Sequence, residues 1–75
     1  MENIRATWAQ NLQAARRQRQ LTQERLAREI EVASIQVSRW ERGVTVPKDA
    51  TKRRLAEFYG VPLAELFPWD EAVVA

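Results

Sequence analysis

The 75-residue sequence contains no cysteine and no histidine. The first absence excludes disulfides and thiolate metal sites. The two together exclude a zinc finger, a Ser-His-Asp triad and a histidine general base. Glycine occurs only at Gly43 and Gly60, too few for a Gly-rich phosphate loop. Serine occurs only at Ser34 and Ser38. Carboxylates and lysines are then the main candidate catalysts, and no motif pairs them, so an enzyme is the poorest reading and neither a metal nor a cofactor is expected. No apolar run approaches the length of a membrane span, and Met1-Glu2-Asn3 lacks a basic and apolar signal pattern. The expectation is one small domain in a soluble, cytoplasmic protein.

Basic residues are also missing from one part of the chain. Residues 1–54 hold all 12 Lys and Arg and six acids, a net +6, whereas residues 55–75 hold four acids and no base, a net −4. The overall +2 conceals this split. Two readings stand side by side: a surface that faces a polyanion, and a solvated set of helix faces.

What the sequence does contain is helical periodicity. Ile4, Trp8, Leu12 and Ala15 form one apolar stripe and predict a first helix over residues 4–19, with Arg16, Arg17 and Arg19 in its last turn. Thr22 is a good N-cap for a second helix over 23–30, and Leu21 and Leu26 are placed as a hydrophobic staple. The turn Glu31-Val32-Ala33 leads to a third helix over 34–42 that stops at Gly43. After the connector Val44–Pro47, a fourth helix over 49–59 ends at Gly60. Pro62 opens a fifth over 62–67, and Pro68 ends it. Strand patterning is absent, so the fold class is all-α, with residues 1–67 as the domain and 68–75 as a tail.

The second and third helices carry the functional signal, because two short helices joined by a tight turn form a helix-turn-helix. With Ser34 at 0° and about 100° per residue, Val37, Trp40 and Glu41 fall on one arc near 240–340°. Ile35, Ser38, Arg39 and Arg42 fall on the opposite arc, near 40–140°, with Ser34 and Gln36 flanking it. One face is thus core and the other is polar and basic with a single isoleucine.

The residues Leu21–Ala27, Val32, Val37-Ser38-Arg39-Trp40-Glu41-Arg42-Gly43, Pro47 and Leu55–Val61 closely resemble the lambda-repressor-like helix-turn-helix family. These are compact five-helix DNA-binding domains of phage repressors and small bacterial regulators. The resemblance spans roughly residues 5–67 and implies roles at matching positions. Ser34 and Ile35 match base-contacting positions, Arg39 matches a position used for bases or phosphates, and Gln36 stands beside them as a further base-contact candidate. Gln23 matches a residue that contacts a phosphate and braces the recognition helix, and Arg42 matches a phosphate-contacting position. Thr22, Thr45 and Lys48 are further phosphate candidates, with Thr45 and Lys48 either flanking the groove or merely solvated. Arg16 and Glu41 match a buried ion pair between the first and third helices. The family also implies double-stranded DNA, a palindromic operator and a homodimer, with Phe67, Trp69, Val73 and Val74 as pairing candidates. Three positions depart from the pattern. Glu31 stands where glycine is usual in the turn. Ala33 stands where a Ser or Thr cap is usual, which leaves Ser34 as a cap one residue late. Lys52 stands where leucine is usual, which predicts looser packing at the start of the fourth helix.

Several residues keep two readings. Ile35 is either a thymine-methyl contact or a partly buried support for the turn. Lys52, Arg53 and Arg54 either flank a DNA groove or are solvated charge. Trp69 either folds back with the tail or meets a second copy. The function expected is a sequence-specific DNA-binding transcriptional regulator, a repressor. The alternative is a protein-interaction module of antitoxin or anti-regulator type on the same fold.

Overall fold

The structure of the protein, a computed structural model, describes residues 3–70. Five helices occur, and no strand is found among the described residues: α1 (Ile4–Gln18), α2 (Gln23–Glu29), α3 (Ser34–Glu41), α4 (Asp49–Tyr59) and α5 (Leu63–Leu66). Asn3 caps α1 by accepting from the Ala6 amide, and Thr22 caps α2 by accepting from the Arg25 amide at 3.0 Å. Pro62 lies just before α5 in extended geometry, not within its first turn.

Four helix ends share one wrap. The amides of Leu21, Val32, Val44 and Val61 each reach back to a carbonyl five residues earlier, on Arg16, Ala27, Arg39 and Ala56. Each wrap needs a left-handed residue, supplied by Gln20, Glu31, Gly43 and Gly60 at φ 57°, 60°, 73° and 69°. Glycine takes this conformation freely, whereas Gln20 and Glu31 adopt it at a cost on the order of 1 kcal/mol each. At the α2–α3 turn, Arg54 adds a hydrogen bond of 2.7 Å to the Ile30 carbonyl. Arg54 is therefore tied to the end of α2, where its cation suits the helix dipole.

The core is a single cluster in which Leu12, Leu26, Ile30, Val37, Leu55 and Phe67 are almost fully buried. Trp40 and Tyr59 complete it, and Trp8, Leu21 and Val61 pack at its margin. Phe67, expected at a dimer surface, is 0% exposed and fills the interior. Its ring meets Trp8 edge-on at 5.5 Å. Val73 and Val74 lie outside the described residues.

Lys52 corrects the expectation of loose packing. It is only 6% exposed. Its stem lies in the core margin and its ammonium sits 4.5 Å from the Trp8 ring centre and 5.5 Å from that of Phe67. Asp70 pairs with it directly, and Asp49 lies at 3.7 Å. A long amphipathic side chain can thus replace leucine when its charge finds aromatic faces and a carboxylate. The Trp8 indole N–H donates to the Pro68 carbonyl at 2.9 Å. These contacts bring residues 68–70 back onto the body, yet Trp69 stays 58% exposed at φ 64°.

Lys52→Ala is expected to lower stability by about 2–4 kcal/mol in urea unfolding, because it removes buried stem and leaves Asp70 without this partner. Tyr59 yields a second prediction. Its hydroxyl is buried without a hydrogen-bond partner among the described residues. Burial first, and the Glu41 charge second, push its phenol up to about 12, against the opposing pull of Arg19 and Arg16. A folded-state value above the unfolded one near 10 contributes stability below that pH, and this is lost as pH rises towards 12. Tyr59→Phe should change stability at neutral pH by less than about 1 kcal/mol and flatten the alkaline decline, as read by unfolding from pH 8 to 12.

Candidate nucleic-acid interface

The helices of the α2–turn–α3 unit pack against each other. Ala33 precedes α3 without a side-chain cap, and the helix begins at Ser34. The late-cap option is therefore not used, and the register of the outward residues stays as the angular reading set it. Val37, Trp40 and Glu41 are buried, while Ser34, Ile35, Gln36, Arg39 and Arg42 are exposed and Ser38 is half-buried. Ile35 is 49% exposed, so about half of its side chain is open on this outward face.

The inner face of α3 is fixed to α1 and α2 through Glu41. Arg16 grips the Glu41 carboxylate with two bonds, Nε to Oε2 at 2.7 Å and Nη2 to Oε1 at 2.9 Å. Its remaining terminal nitrogen, Nη1, donates to the Leu21 carbonyl at 2.7 Å, just before α2. Gln23 donates from Nε2 to Glu41 Oε1 at 3.0 Å. The hydrogen bond with Glu41 raises the pKa of the Arg16 guanidinium, against the opposing effect of burial. The ion pair expected from the resemblance is present. Gln23 braces the third helix through the same carboxylate, and the second hydrogen of its amide is not needed for that bond.

A groove runs beside α3, lined by Gln36, Arg39, Thr45, Val46, Pro47 and Lys48. Thr45 and Lys48 are exposed there, as is Thr22 at the start of α2. The flanking set is smaller than the charge pattern offered. Lys52 turns inward and Arg54 is engaged with Ile30, which leaves Arg53 exposed on α4. Arg42 lies along its own helix, its Nε 3.4 Å from the Ser38 carbonyl.

Three residues near this surface were not singled out from the sequence. Val44 is 53% exposed immediately after Gly43. Arg5 reaches from α1 to the Val44 carbonyl at 3.5 Å. Gln13 donates to the Glu41 carbonyl at 3.1 Å. A sequence signal existed only for Gln13, which lies three residues before Arg16 and so shares its helix face.

A family model described as helix-turn-helix matches residues 12–66. The chain is 45% identical over 49 residues to the cryptic phage CTXphi transcriptional repressor RstR of Vibrio cholerae. That alignment covers 65% of this chain and 44% of RstR, so the chain spans less than half of that relative's length. The fold matches the solution structure of the SOS-response transcriptional repressor LexA from Eubacterium rectale with a TM-score of 0.85. That likeness covers 93% of this chain and 74% of the other at 20% identity, and it speaks to the fold. The match across most of the chain, with α2 and α3 as its central pair, shows that the protein belongs to the helix-turn-helix family.

Proposed function

We propose that the protein is a sequence-specific double-stranded-DNA-binding transcriptional regulator, and that it represses. The observation that carries this reading is the outward face of α3, where Ser34, Ile35, Gln36 and Arg39 stand exposed on a helix whose other face is locked into the core. A helix of this kind fits the major groove, and a bidentate Arg39 contact to guanine is the favoured chemistry. Ile35 suits a thymine methyl. Thr22, Gln23, Arg42, Thr45 and Lys48 set the register on phosphates. The name of RstR, a transcriptional repressor, supports the same reading.

The unit that reads DNA spans residues 1–67, and the segment 68–75 carries the contact to a second copy. Among its described residues, Trp69 stands exposed. A homodimer of this kind reads a palindromic operator with half-sites about 10 base pairs apart. Binding of this type needs no catalytic group, metal or cofactor, and it takes place where the DNA is, in the cytoplasm of a bacterial cell.

Selection of bound sites from a random duplex pool, followed by titration on the winner, tests the proposal. Arg39→Ala is expected to weaken binding to the selected site about 5- to 100-fold at constant salt, with little change on scrambled duplex. Replacing thymine by uracil in the site should weaken the parent and leave Ile35→Ala unaffected. Lys48→Ala should lower affinity for all sequences and reduce the salt slope by about one. Equal affinity of the parent for selected and scrambled duplex sinks the reading. Trp69→Ala is expected to weaken self-association about tenfold or more in sedimentation while leaving the helical signal unchanged.

A further inference from the structure

We infer that Gln13 is a positioning residue for base reading: its side-chain amide locks the rotation of α3 about its own axis. The inference rests on the DNA-reading role proposed above. Glu41 is the last residue of α3, and α1 holds it at two different points. Arg16 holds the carboxylate, and Gln13 holds the backbone carbonyl at 3.1 Å. These two anchors differ in kind. A carboxylate hangs on three rotatable bonds, so its helix can turn while the ion pair persists. A main-chain carbonyl is rigid with the helix, so a bond to it resists rotation.

The other carbonyls at this end of α3 are already used. The Arg39 carbonyl accepts from the Val44 amide and the Trp40 carbonyl from the Gly43 amide. Helix ends leave such acceptors without intrahelical partners, and Gln13 meets the need of Glu41 from a neighbouring helix. The consequence reaches Arg39, two residues earlier on the same short helix. A rotation of roughly 20° moves a side-chain tip about 6 Å from the axis by about 2 Å. That displacement breaks a base-edge hydrogen bond but leaves long-range attraction to phosphate almost unchanged. Gln13 therefore acts on discrimination rather than on general affinity.

The test compares the parent with Gln13→Met, which keeps side-chain length and removes the donor, on selected and scrambled duplexes at one salt concentration. The expected result is a ratio of the two affinities about tenfold lower, with scrambled-duplex affinity and salt slope unchanged and a melting temperature within a few degrees of the parent. An unchanged ratio in folded Gln13→Met overturns the inference, as does an equal loss on both duplexes. Should Gln13→Met fail to fold, Gln13→Leu decides by the same measurement, since leucine also lacks a donor. A lowered ratio in Gln13→Leu supports the role, and a parent-like one overturns it. A parent without any sequence preference overturns the DNA reading and this inference together, whereas a parent-like ratio in folded Gln13→Met overturns the inference alone.

Discussion

A carboxylate taken out of water is tolerated only where its charge is matched and its lone pairs are filled, and α3 ends on one. The Glu41 side chain is 2% exposed, and Arg16, itself 13% exposed, meets it with paired bonds. The rest of the arrangement depends on this pair. Through it α1 fixes α3, through Gln23 it fixes the first turn of α2, and through Leu21 it fixes the link between α1 and α2. A pair of this kind need not add net stability over a well-packed apolar pair. Its value lies in geometry, because removal of either partner strands a buried charge.

Much of this was legible in the sequence, and the legible part is local. Periodicity and caps located all five helices, with α4 found to the residue and no end of the others displaced by more than one residue. The angular reading of α3 separated Val37, Trp40 and Glu41 from Ile35, Arg39 and Arg42. What was not legible depends on partners far along the chain. Lys52 reads as a solvent residue until Asp70 and the Trp8 ring are brought beside it. Arg54 reads as free charge until the Ile30 carbonyl lies within reach. Phe67 follows a helix of only four residues, too short for periodicity to distinguish its inner from its outer face. Gln13 shares a helix face with Arg16, but its acceptor on Glu41 is fixed only by the crossing of α1 over α3.

The separation of charge along the chain acquires a spatial meaning in the fold. Arg39, Arg42 and Lys48 stand exposed on and beside the outward face of α3. Of the other cations, Arg16, Lys52 and Arg54 have structural duties inside the fold. The net +6 of residues 1–54 thus overstates the charge available to a polyanion. The acidic final part is likewise not all surface charge, since Asp70 closes the clasp on Lys52.

The lengths of α2 and α3 have a consequence of their own. With 7 and 8 residues, each is well below the length at which a helix persists alone in water. The face that α3 presents is therefore not an independent part attached to a scaffold. It exists only in molecules whose whole core is assembled, so the competent fraction follows the global folding equilibrium. In a domain of this size that equilibrium rests on a few kcal/mol. Temperature, or a single change deep in the core, then alters how many molecules can occupy a target at all. The number of molecules that present this face at all is thus set by folding.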